Sequence, residues 1–244
     1  MAFVWDERTI RWRLDASDYT GYDAAMAALL LPKLEGCATL CDVGCGLGLV
    51  DLALAEHLES VTGVDVSAPA IDTLRRRADR AGIRNVTALR ADRRTLRGAW
   101  DAVLVMFCGA VEETVPACVS LARRRVLLVV HSEAYGGTGP EAYRRRKRTS
   151  AESAGAWLDA NGYRYSAESA ALEFGQPHAD FDDALAFLRV YCPDAPEEAL
   201  ARHLRGTLRQ TGRADFPLYA PKTKRFTVFN IDARRGEENV CTSF

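Results

Sequence analysis

The run Asp42-Val43-Gly44-Cys45-Gly46-Leu47-Gly48, together with Asp65, has the residue types and spacing best suited to chemistry. Alternating glycines let the backbone turn sharply and approach a ligand with no side chain between, and a helix starting after them adds unpaired N–H groups. An apolar stretch, Thr39 to Val43, enters the turn and a helical pattern, Leu49 to Leu58, leaves it. A nucleotide-like cofactor fits such a turn. Roughly twenty residues beyond the first glycine, Val61-Thr62-Gly63-Val64 ends in Asp65, whose carboxylate can accept from two ribose hydroxyls. A dinucleotide would use the same pair, but Leu49 stands where that fingerprint needs a glycine for close packing beneath a pyrophosphate. Asp42 would also repel a pyrophosphate, whereas it could bind the ammonium of a methionine moiety directly or through water. Its alternative role is to brace the glycine loop through backbone N–H groups.

These residues need a scaffold in which strands alternate with helices. Apolar runs at Thr39 to Val43, Val61 to Val66, Val86 to Leu89, Ala102 to Met106 and Val126 to His131 each neighbour a helical pattern. That rhythm predicts an α/β fold, a doubly wound parallel sheet with helices on both faces. Two further strands are expected around Tyr163 to Glu173 and Phe226 to Ile231. Between them Phe181 to Thr211 reads as helical, split by Pro193 and Pro196. No repeat or Pro/Gly/Ser linker divides the 244 residues, so one domain is expected. Its parts are N-terminal helices (1–36), a core (37–174), a helical insertion (about 175–224) and a final strand (about 226–232).

The segment Leu40-Cys41-Asp42-Val43-Gly44-Cys45-Gly46-Leu47-Gly48 resembles the first motif of class I S-adenosylmethionine-dependent methyltransferases, and the resemblance continues to about His131. It implies a Rossmann-like sheet of seven strands, mostly parallel with the last strand antiparallel. It also implies S-adenosylmethionine as cofactor, held by Asp42, Gly44, Cys45, Gly46 and Gly48. Asp65 matches the family's ribose acid, with Val66 beside it, and Ala91-Asp92 match the small and acidic residues that flank the adenine. Phe107 ends the fourth strand, beneath the methionine part. Read alone, Asp92 before Arg93 and Arg94 would be a surface carboxylate opening a helix.

Methyl transfer from a sulfonium is an in-line displacement that demands alignment and, for a protonated nucleophile, a base. His131, at the expected carboxyl end of the fifth strand, is the candidate base; Tyr19, Tyr22 and His131 are candidate substrate contacts. Met106-Phe107-Cys108-Gly109 lacks the Asn/Asp-Pro-Pro-Tyr loop of amine-directed base methylases, and no Pro precedes Cys108 as in pyrimidine C5 methylases. A nucleic-acid acceptor is therefore disfavoured and a small molecule expected. The run Tyr143-Arg144-Arg145-Arg146-Lys147-Arg148 reads first as a solvated face, with an anionic substrate or RNA as the sharper readings.

The formal charge of -1 gives no global field for a polyanion or a membrane surface. Seven Cys without paired spacing predict thiols rather than a metal site or disulfide framework. The acidic pair Asp6-Glu7 near the start and the short apolar runs predict a cytoplasmic protein without a membrane span. Two other classes stay open. A nicotinamide-dependent oxidoreductase would share the fold and Asp65, and a non-catalytic nucleotide-binding interaction protein would keep the fold alone; the oligomeric state is not legible.

Overall fold

The structure, a computed structural model, describes residues 3–133, 137–144 and 149–233. The chain opens with α1 (Glu7–Thr20) and α2 (Tyr22–Leu30). The core then runs β1 (Thr39–Val43), α3 (Leu49–Leu54), β2 (Ser60–Asp65), α4 (Ala68–Ala81), β3 (Val86–Arg90), β4 (Trp100–Met106), α5 (Val111–Val119), β5 (Ala122–His131), α6 (Ala151–Ala160) and β6 (Tyr165–Glu173). After it come β7 (Gln176–His178), α7 (Phe181–Tyr191), α8 (Glu197–Thr207), β8 (Arg209–Gln210), β9 (Leu218–Ala220) and β10 (Thr223–Asp232).

Seven strands form one sheet in the order β3-β2-β1-β4-β5-β10-β6. β10 is antiparallel to both neighbours, pairing Val228 with Val129 of β5 and with Glu168 of β6. Burial on both faces explains the near-continuous apolar strands: Leu104, Leu127 and Val129 enter one apolar cluster, whereas Val103, Val105, Val126 and Leu128 enter another. α2 and α3 cover the first face through Met26, Leu30 and Leu54; α5 and α6 cover the second through Val115, Cys118 and Leu158. β1 pairs with both β2 and β4, so the strand order reverses there and a crevice opens beyond its carboxyl end.

The insertion is less helical than its sequence predicts. α7 stops at Tyr191 and α8 starts after Pro196, as the two prolines require, but β7, β9 and β8 form a second, three-stranded sheet. Strands of two or three residues carry no readable period, which is why this sheet is invisible in the sequence.

α1 is capped by Asp6 and Thr9, which bond each other's backbone N–H groups, and it ends at Gly21. It packs against the insertion as one unit. Trp12 is 2% exposed among Leu185, Phe187, Leu188 and Leu204, and its Nε1–H donates to Asp183 Oδ1 (2.9 Å). Gln176 Nε2 donates to the Trp12 carbonyl (3.0 Å), and His178 Nδ1 meets Asp183 Oδ2 at 2.9 Å. Burial alone would raise the Asp183 pKa, yet bonds from His178, Trp12 and Arg11 hold it well below the usual carboxylate range.

Candidate active site

The glycine turn is fixed from below. Gly44 and Cys45 N–H donate to the Val64 carbonyl (2.7 and 3.0 Å), and Gly46 N–H donates to Asp65 Oδ2 (3.0 Å). Asp65 Oδ1 accepts from Ser67 N–H (2.8 Å), so one carboxylate ties the turn to the start of α4. Gly46 has φ 57, and a Cβ there would lie 3.1 Å from the Trp5 ring. Gly44 has φ 83, and its Cβ would lie 2.8 Å from Cys108 Sγ. The bare backbone is therefore required by conformation and by close approach together. Such a cradle with an acid at its edge fits an adenosyl cofactor that carries an amino acid.

The remaining expected contacts are distributed unevenly. Val66 is 51% exposed beside Asp65, an apolar face open to a ring. Ala91 N–H donates to the Asp65 carbonyl (3.1 Å), which brings the ends of β2 and β3 together. Asp92 is exposed and Oδ1 accepts from Arg94 N–H (2.9 Å), so it closes its own turn. Cys45 turns its thiol towards Gly63, and burial pushes that thiol well up; the residue also lines the cavity at the turn.

Asp42 requires a correction. It is 1% exposed, and its oxygens neither line the cavity nor accept from loop N–H groups. Its partner is Asp51, in the first turn of α3. Burial and then the neighbouring Asp51 charge push Asp42 well above the usual carboxylate range; burial pushes Asp51 up to about 7. With both ionised, all four oxygens lack a donor, so the pair retains a proton.

A cavity of about 210 Å³ at the glycine turn is lined by Trp5, Tyr22, Cys45, Gly46, Phe107, Phe174 and Lys224, among others. Trp5, Phe107, Phe174 and Lys224 also line a larger cavity of about 590 Å³, which reaches His131 and Tyr191. The two therefore form one chamber. Phe107 stands at the join with φ 54, a left-handed conformation rare for an aromatic residue. Its ring lies 4.7 Å from the His131 ring and 3.5 Å from Lys224 Nζ. Tyr22 reaches the chamber, 4% exposed, with its ring tilted against Phe174 at 4.4 Å. Tyr19 does not: its ring stacks on Tyr219 at 4.7 Å, beneath Arg213.

Sequence reasoning missed Trp5, Phe174, Lys222 and Lys224. The basic cluster Lys222-Thr223-Lys224-Arg225 at the start of β10 was the available signal. Burial pushes the Cys108 thiol up despite Arg93, which disfavours a thiolate nucleophile. Of the basic run, Arg145 to Arg148 lie outside the described residues. Among the described residues no His, Cys, Asp and Glu cluster is gathered to hold a metal, and no helix is long and apolar enough to cross a membrane.

Residues 40–127, from β1 into β5, match the family described as a methyltransferase domain. Over 69 residues the chain is 35% identical to an uncharacterized RNA methyltransferase of Lactiplantibacillus plantarum, covering 28% of this chain and 15% of that protein. The match thus spans a small part of that relative's length. Among solved structures, magnesium protoporphyrin IX methyltransferase from Synechocystis PCC 6803 with bound SAH superposes with a TM-score of 0.52, at 15% identity over 94% of this chain and 89% of that one. Geranyl diphosphate methyltransferase in complex with SAM gives 0.53, at 16% identity over 86% and 85%. The sheet order, with the glycine turn at the reversal, is that of a Rossmann-like methyltransferase fold. Residues 40–127 thus carry a methyltransferase domain within that fold.

Proposed function

We propose that this protein transfers the methyl group of S-adenosylmethionine to a small-molecule acceptor enclosed between the ends of β4 and β5 and the unit made by α1 and the insertion. The observation that carries this reading is the shared wall: Trp5, Phe107, Phe174 and Lys224 line both the glycine-turn cavity and the larger one. A group held in the second is thereby aimed at whatever the first holds.

Asp65 would hold the ribose hydroxyls, Gly44 to Gly48 would pass beneath the methionine part, and Val66, Ala91 and Asp92 would enclose the adenine. When bound, the cofactor supplies an electrophilic methyl on a sulfonium. Phe107 orients the His131 ring by packing against it at a tilt, and His131 takes the proton of a hydroxyl or amine acceptor as the nucleophile advances. The aromatic walls Trp5, Phe174 and Tyr191 exclude water that would compete for the methyl. The six described cysteines are free thiols, which supports action in the reducing cytoplasm.

Similarity to an RNA methyltransferase favours one second reading, an RNA acceptor. Incubation with methyl-labelled S-adenosylmethionine and either a small-molecule cell extract or total RNA separates the two. We expect label in the small-molecule fraction; label confined to RNA would establish the second reading, and label in neither would reject methyl transfer.

A further inference from the structure

The far wall of the larger cavity is cationic. Arg144, Lys222, Lys224 and Arg225 line it against a single described acid, Glu133. An adjoining cavity of about 260 Å³ shares Arg144 and Lys222, adds Arg13 and His203, and has no acid in its described lining. Arg13 is engaged by Asp23, at 2.8 Å through Nη1. Arg144 and Lys222 stand where the two cavities meet, held by bonds to the Gly139 carbonyl (3.3 Å) and Thr138 Oγ1 (2.9 Å). Phe174 and Tyr191 line both cavities as flat walls.

The geometry points to an acidic acceptor: a small molecule with a flat apolar body and a carboxylate or phosphate held between Arg144 and Lys222. This rests on the reading of the chamber as the acceptor site. Two cations that line the same two partly enclosed, aromatic-walled cavities offer an anion two charges of opposite sign where solvent screening is reduced. A guanidinium fork matches a carboxylate or phosphate bidentately, and an ammonium adds a point charge. Phe174 and Tyr191 would then flank the body. The nucleophile falls at the opposite end, beside Phe107 and His131, so the anion anchors the molecule and is not the atom methylated. In the transfer the new bond forms to the methyl carbon, the carbon–sulfur bond breaks with its electron pair going to sulfur, and the nucleophile's proton passes to His131.

The test uses the full chain saturated with S-adenosylhomocysteine and a matched set of small aromatic carboxylic acids, aromatic phosphate monoesters and the corresponding primary amides. Thermal stabilisation is read first and calorimetry second. We expect acids, from the carboxylate or the phosphate arm, to bind and the amides not to. Arg144→Gln and Lys222→Met should each weaken the acid about tenfold or more, the scale of a lost charge-assisted bond, with S-adenosylhomocysteine affinity unchanged. Amides binding as well as acids, no acid binding, or unweakened variants would each overturn the proposal. A wild-type protein that fails to bind S-adenosylhomocysteine would instead overturn the cofactor reading on which it rests.

Discussion

Asp42, the penultimate residue of β1, and Asp51, in the first turn of α3, face each other in the protein interior at 1% and 0% exposure, with no other described partner for their oxygens. Among the described residues the groups that act on them are Cys41, Cys45, Gly63 and the carboxylates of Asp65 and Asp23, none of them a cation.

Both pKa values are raised above the unfolded value of 3.8, Asp51 to about 7. The folded protein therefore keeps protons that the unfolded chain releases. Stability from this pair is full below about pH 4 and declines as pH rises through about 7, by roughly 1.4 kcal/mol per pH unit for each retained proton. Asp183, whose pKa is depressed, acts the opposite way and only as pH falls below its unfolded value of 3.8. Urea denaturation from pH 5 to 8.5 should show declining stability. Asp51→Asn, which supplies an amide donor to Asp42, should flatten the profile and raise the midpoint at pH 8. A wild-type profile that climbs between pH 5 and 8 would contradict the proton-retaining pair.

Gly46→Val should fold and lose cofactor binding. A branched residue at φ 57 carries strain on the order of 1–3 kcal/mol, and its Cβ, 3.1 Å from Trp5, displaces that ring into the cavity. Circular dichroism would check the fold and calorimetry the affinity for S-adenosylhomocysteine; normal affinity in a folded variant argues against the turn as the cradle.

His131→Asn should lower kcat by about 10²–10⁴, the usual contribution of a general base, and leave S-adenosylhomocysteine affinity unchanged. It should also remove the acidic limb of the pH–rate profile. A variant that keeps that limb leaves His131 with a packing role on Phe107.

Trp12→Ala should loosen the seam between α1 and the insertion. Truncating a Trp buried to 2% costs about 3–5 kcal/mol, which corresponds to a fall of roughly 6 °C or more in the thermal midpoint. An unchanged midpoint would mean that the two segments do not depend on this contact.

The sheet was legible because its central strands β1, β4 and β5 are apolar on both faces: Leu104 and Val105 belong to opposite clusters, yet both are buried, and that writes a continuous apolar run. The turn was legible because positive φ at Gly44 and Gly46 demands glycine. Asp65 follows from its place at the end of a strand. The Asp42–Asp51 contact was not legible, since it depends on the tilt of a six-residue helix against β1. Trp5 precedes α1 in the chain but lies over Gly46 by tertiary packing, and no local pattern announces that. Tyr19 and Tyr22 look alike in sequence; Gly21, which ends α1 and starts α2 at φ 67, sends one to Tyr219 and the other to the chamber.

The central claim is that the glycine turn and Asp65 hold an adenosyl cofactor bearing methionine. Isothermal titration of the purified protein with S-adenosylhomocysteine and, separately, with NAD tests it most directly, on wild type and on Asp65→Ala. The account predicts saturable binding of S-adenosylhomocysteine, none of NAD, and a loss of about 1.5–3 kcal/mol for each ribose hydroxyl deprived of its charged acceptor in the variant. Binding of NAD in place of S-adenosylhomocysteine, or equal affinity in wild type and a folded Asp65→Ala protein, would contradict it.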